Sequence, residues 1–109
     1  MLVDWRGGAL PNEPTKIRPA VVVEDHELFP DGYPNTIVVP LTQDERLAYA
    51  GLSERLEPTE ENGSAAVSWA LAHHVASVSL TRVRVTASRI SSEQLTRIRQ
   101  RIAVAIGNA

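Results

Sequence analysis

Apolar and polar positions change rhythm once along this chain. Up to Arg89 the apolar residues come in short, β-branched runs separated by turn-forming clusters; from Ser91 on they recur every three or four positions. The first part reads as strands. Leu2 to Trp5 is a short strand, placed at an edge or truncated. Arg6 to Ile17, with Gly7-Gly8, Pro11, Asn12 and Pro14, reads as a long loop. Pro19 stands at the entrance of a buried strand, Ala20 to Glu24, where a missing backbone donor is tolerated. Phe29-Pro30-Asp31-Gly32-Tyr33-Pro34-Asn35 is a dense turn signal before a second buried strand, Thr36 to Leu41. Leu52 to Glu57 reads as a half-exposed strand, closed by a turn at Asn62-Gly63. Ala66 to Val78 is one strand, or two with a bend, with a helix as the competing reading because alanine is frequent. Val83 to Thr86 alternates as a last strand.

The second rhythm is a helix. Ser91 caps it and Gln94 completes a capping box; Leu95, Ile98, Ile102, Ala105 and Ile106 fall on one face, and Gly107 ends it. Arg97, Arg99 and Arg101 lie on other faces and read as a solvated surface. Five or more short strands followed by one amphipathic helix predict a mainly β fold: a small β-barrel with a C-terminal helix packed on it. Residues 1–109 make a single domain, small enough to leave barrel surface for a second copy to cover.

Composition narrows the function classes. With 43% hydrophobic residues the chain can form one core, and a net charge of −2 argues against non-specific duplex binding. Charge is divided, however. Asp44 to Glu61 holds five Glu and two Arg, whereas Arg82 to Arg101 holds six Arg and one Glu, so a local positive face is expected. The absence of cysteine excludes disulfides, thiolate metal sites and cysteine nucleophiles. No apolar run reaches membrane-spanning length and the start has no signal-peptide pattern, so a cytoplasmic location is expected.

Candidate chemistry sits at two strand ends. Arg18 precedes Ala20-Val21-Val22-Val23, and Thr42 follows Val38-Val39-Pro40-Leu41. If the two strands pair antiparallel, a guanidinium meets a hydroxyl at one rim of the sheet, the donor set that a phosphodiester transition state requires. Read singly, an arginine at a strand entrance is a surface residue and a threonine at a strand end is a turn former. His73-His74 is the third candidate. On a strand the two rings point to opposite faces, and one is either a hydrogen-bonded histidine beside the core or a proton carrier. No third ligand with familiar spacing supports a metal site, and no cofactor motif is present. Trp69 reads as a core or interface anchor; Trp5 is open between that and base stacking.

In their order, these segments resemble the MazF/PemK-like toxins of type II toxin–antitoxin systems. Glu13 to Val23 resembles that family's loop and Arg-Pro-Ala strand, Val38 to Thr42 its strand ending in Pro-aliphatic-Thr, Ser68 to Val78 its central strand, and Ile90 to Gly107 its terminal helix. Val3-Asp4-Trp5 is similar to its first strand, though the usual Gly-Asp lead-in is missing. The resemblance implies an SH3-like barrel, a homodimer, and a metal-independent endoribonuclease acting on single-stranded mRNA at specific sequences. In that reaction the ribose 2′-hydroxyl attacks the adjacent phosphate, leaving a 2′,3′-cyclic phosphate and a 5′-hydroxyl. It implies catalytic roles for Arg18, Thr42 and His73, and RNA contacts from Lys16, Gln43, His74 and Arg82. It also implies a cognate antitoxin whose tail holds the Arg6–Ile17 loop, a segment that can gate the site. His73-His74 replaces the Asp-Gln of many relatives, so imidazole would stand in for a carboxylate. Two alternatives carry different chemistry: a non-catalytic CcdB-like toxin inhibiting DNA gyrase, and an inactive homologue that only binds an antitoxin.

Overall fold

Described over residues 2–4 and 17–108, the computed structural model has seven strands and one helix. In chain order these are β1 (Leu2–Asp4), β2 (Ile17–Val22), β3 (Asn35–Thr42), β4 (Ser53–Leu56), β5 (Ser68–Leu71), β6 (Ala76–Ser79), β7 (Val83–Arg84) and α1 (Ser92–Ala105). Residues 5–16, which include Trp5, Lys16 and most of the segment expected to be a loop, lie outside the described residues.

The longest strand, β3, organises the sheet. On one side it pairs antiparallel with β2, Ala20 facing Pro40 and Val22 facing Val38. On the other it is shared: β6 pairs with Asn35 to Val38, and β5 with Leu41 and Thr42. Pro40 falls in the gap between those two partners, where the donor it lacks costs least. The strand order is β4-β5-β3-β2-β1-β7, with β6 beside β3.

Two expectations need correction, and one choice left open is settled. The sheet does not close into a barrel, because its terminal strands are four and two residues long and do not pair with each other. Strand β1 is not an edge, since β2 flanks it on one side and β7 on the other. Ala66 to Val78 takes the two-strand reading, with a single 3-10 turn, Ala72–His74, as its bend. That turn removes His73 and His74 from any strand, so the expectation of opposite faces does not apply to them.

Alternation along β2 and β3 explains why both are apolar almost throughout. Ala20, Val22 and Val38 join Val78, Ala76 and Val83 in one cluster. Val21, Val23, Ile37, Val39 and Leu41 join Leu56, Ala70 and Ile98 in the other, on the helix side. Both faces are covered, so polar residues have no place between. Each fully buried leucine or isoleucine here contributes roughly 2 kcal/mol.

The helix begins as its sequence predicts. Ser91 Oγ accepts the Gln94 N–H at 3.1 Å, and Gln94 Oε1 accepts the Ser91 N–H at 2.9 Å. Leu95, Ile98 and Ile102 pack inward, but Ile106 is exposed beyond the last helical turn, where Gly107 takes the left-handed conformation. The helix arginines lie at the surface, as expected for Arg97 and Arg99, but they also reach back to the sheet side. Arg97 Nε donates to Glu54 Oε2 at 2.7 Å and Arg101 Nε to Glu54 Oε1 at 3.0 Å. Arg99 donates to the carbonyls of Val23 and Glu24. Half of the arginine-rich segment therefore fastens the helix to the sheet instead of forming a free positive face.

Candidate functional site

The β2–β3 register, continued two residues beyond Ala20–Pro40, sets Arg18 across from Thr42. Residues directly opposed in an antiparallel pair share one face. Both line a cleft of about 920 Å³ together with Gln43 and Ser68. Thr42 is only 3% exposed. Its Oγ1 accepts the Asp44 N–H at 3.0 Å, which uses a lone pair and leaves the hydroxyl proton to donate. Asp44 is not a base for this cleft. Both its oxygens hold the Arg46 guanidinium at 3.0 Å, and those hydrogen bonds keep its carboxyl below the usual carboxylate value.

A second wall comes from two loops fastened to each other. Asn62 accepts the N–H groups of Thr59 and Ser64 and donates to the Glu57 carbonyl at 2.7 Å, which fixes the turn. Gly63 has φ +67°, and a Cβ there would stand 2.8 Å from Ser88 Oγ, so glycine allows the close approach. The Arg89 N–H donates to the Glu61 carbonyl at 2.6 Å. Ser64, Thr86, Ser88, Arg89 and Ile90 thereby face the same space as Arg18 and Thr42.

The described lining holds two arginines, Arg18 and Arg89, several hydroxyls and no carboxylate. A cleft of this composition attracts anions although the chain as a whole is acidic.

Of the residues singled out in the sequence, Arg18, Thr42 and Gln43 share this cleft, whereas His73, His74 and Arg82 are not among its lining and Lys16 lies outside the described residues. The His73 ring packs tilted against Tyr49 at 5.6 Å and edge-on against His74 at 4.4 Å. Burial, and then the charge of His74, push its imidazole below the ordinary value, against a hydrogen bond with the Leu52 backbone. Arg82 is half-buried in the turn before β7, and Trp69 is half-buried opposite Thr42. Sequence reasoning missed Arg89 and Thr86. Their signal was indirect: Arg89 is the only arginine between the last strand and the helix cap. Among the described residues no three metal-ligating side chains cluster, and no helix is long and apolar enough to cross a membrane.

Fold and cleft together define a class: a small, open antiparallel β domain with a C-terminal helix and a cationic cleft at the ends of its central strands. The chain belongs to the PemK-like, MazF-like toxins of type II toxin–antitoxin systems, whose family model matches residues 1–106. Membership in such a two-component family implies an antitoxin partner. Among solved structures it is similar to the Mycobacterium tuberculosis toxin MazF-mt6, with a TM-score of 0.68 and 16% identity over 84% of this chain and 87% of that one. That likeness carries the fold. No curated protein sequence matches the chain.

Proposed function

We propose that the protein is a toxin acting as a sequence-specific endoribonuclease on single-stranded mRNA, as a cytoplasmic homodimer inhibited by a cognate antitoxin. The observation that carries this reading is the convergence of Arg18 and Thr42 on one cleft without a carboxylate in its described lining. The 2′-oxygen of the substrate attacks the adjacent phosphorus, the bond to the 5′-oxygen breaks, and a cyclic phosphate and a 5′-hydroxyl remain. One proton leaves the 2′-hydroxyl and one is taken up by the departing 5′-oxygen. Arg18 stabilises the charge that accumulates on the phosphorane, and Thr42 donates its hydroxyl proton to a phosphate oxygen. Gln43, exposed beside Thr42, holds the strand.

Proton transfer is the role expected of His73. Since His73 does not line its own subunit's cleft, the pH–rate profile of His73→Asn decides the matter. A profile flattened between about pH 5 and 8 assigns the proton to this imidazole, and an unchanged one assigns it to solvent.

The direct test incubates the purified protein with long single-stranded RNA in EDTA and maps the cut ends. Cleavage leaving cyclic phosphate and 5′-hydroxyl ends is expected. Intact RNA accompanied by gyrase inhibition would replace this reading with the CcdB-like one, and intact RNA with antitoxin binding alone with the inactive one.

A further inference from the structure

Two groups on the second wall of the cleft have no hydrogen-bond partner among the described residues. Thr86 lines the cleft, and its hydroxyl oxygen is buried with no hydrogen-bond partner among the described residues. A buried hydroxyl left in that state costs about 1–3 kcal/mol unless something outside the chain satisfies it. Arg89, three residues on, is exposed and also lines the cleft. Its backbone is held by Glu61, but its guanidinium makes no bond to any described residue. The contrast with the other cations of the C-terminal segment is direct, since Arg97, Arg99 and Arg101 are all committed to Glu54 or to carbonyls. The wall is also rigidly set, because the close approach of Gly63 to Ser88 and the Arg89–Glu61 backbone bond fix where the segment stands.

We infer that Thr86 and Arg89 form a second phosphate subsite, which holds a neighbouring phosphodiester of the strand whose scissile phosphate lies at Arg18 and Thr42. This rests on the nuclease reading and deepens it by naming the residues that bind the strand away from the reacting bond. Arg89 supplies the charge and the planar donors that fit phosphate oxygens, and Thr86 donates its hydroxyl to the same group. Both contacts are made equally before and during bond cleavage, so they set binding more than turnover.

The test uses the full chain and two measurements. The first is binding of a labelled, mixed-sequence single-stranded RNA that is 2′-O-methylated throughout and therefore uncleavable; the second is steady-state cleavage of unmodified single-stranded RNA. For Arg89→Ala the dissociation constant and KM rise about tenfold, kcat changes by about twofold or less, and the salt slope of binding falls by about 0.7. Arg89→Lys recovers much of the salt slope but less of the affinity. Thr86→Val, which keeps side-chain shape, weakens binding by roughly threefold to tenfold with no loss of melting temperature. Unchanged affinity and salt slope in Arg89→Ala, while Arg18→Ala has lost cleavage, would overturn the subsite and leave the nuclease reading standing. A wild-type protein that binds the methylated RNA but cuts none of the unmodified strand would overturn the nuclease reading and leave the subsite as a binding site. A melting temperature that falls in Thr86→Val with unchanged affinity assigns that hydroxyl to the fold.

Discussion

Under the C-terminal helix, Arg97 and Arg101 close on the two oxygens of Glu54, whose side chain is only 7% exposed. At the start of β2 and beyond β7, Arg18 and Arg89 instead line an open cleft in which no carboxylate stands among the described residues. The same side chain thus serves two ends. Where the fold delivers a buried carboxylate, the guanidinium becomes a fastener between helix and sheet, and Glu54 holds the Arg97 guanidinium above its ordinary pKa. Where the fold delivers hydroxyls and a cavity, the guanidinium lines open space beside them. The number of arginines in a segment does not distinguish the two; the partner across the tertiary contact does.

Exchanging the consequences of the two regions is the strongest way to break this contrast. Arg18→Ala is expected to lower RNA cleavage by about 10²–10³-fold, with a circular-dichroism melting temperature close to the parent protein. Cleavage that survives this substitution would remove Arg18 from the chemistry. Glu54→Ala should do the reverse. It leaves two arginines without their shared carboxylate and costs about 2 kcal/mol, seen as a melting temperature lower by roughly 10 °C, while the folded fraction still cuts RNA. An Arg18→Ala protein less stable than Glu54→Ala would erase the distinction between cleft and fastener.

Smaller effects sharpen it. Ser91→Ala removes the hydroxyl that accepts the Gln94 N–H and should cost about 1 kcal/mol in denaturant unfolding. His73 gives the smallest effect and the only one that depends on pH. Its folded-state pKa lies below the ordinary value, so the unfolded chain takes up the proton more readily. Its contribution to stability is therefore present above about pH 6.5 and fades as pH falls below that value. The melting temperature of His73→Phe should fall less steeply than that of the parent on acidification, and parallel curves would show that this ring does not govern acid sensitivity.

Much of the local structure was legible because it depends on neighbours in sequence. The cap at Ser91, the left-handed Gly107, the Asn62-Gly63 turn and the apolar runs around Val21 and Val39 are stated by residue type and spacing alone. That Arg18 and Thr42 come to one cleft was legible too, because an antiparallel β2–β3 pair brings the start of one strand near the end of the other. The occupation of the helix arginines was not. Their periodicity is that of a solvated face, and only the position of β4 beneath them reveals Glu54. His73 and His74 were misplaced for a similar reason, since a one-turn 3-10 bend leaves no mark on composition.

By itself the amino-acid order determined the strands, the capped helix, the lack of thiol chemistry and the two ends at which an arginine and a threonine stand. Tertiary structure decided the rest: that the sheet stays open, that Glu54 takes Arg97 and Arg101, and that Thr86 and Arg89 reach the cleft of Arg18 and Thr42. The physical reason is range. Backbone preference and period act over a few residues, whereas the fate of a charge depends on which distant group the packing of the chain brings within hydrogen-bonding distance.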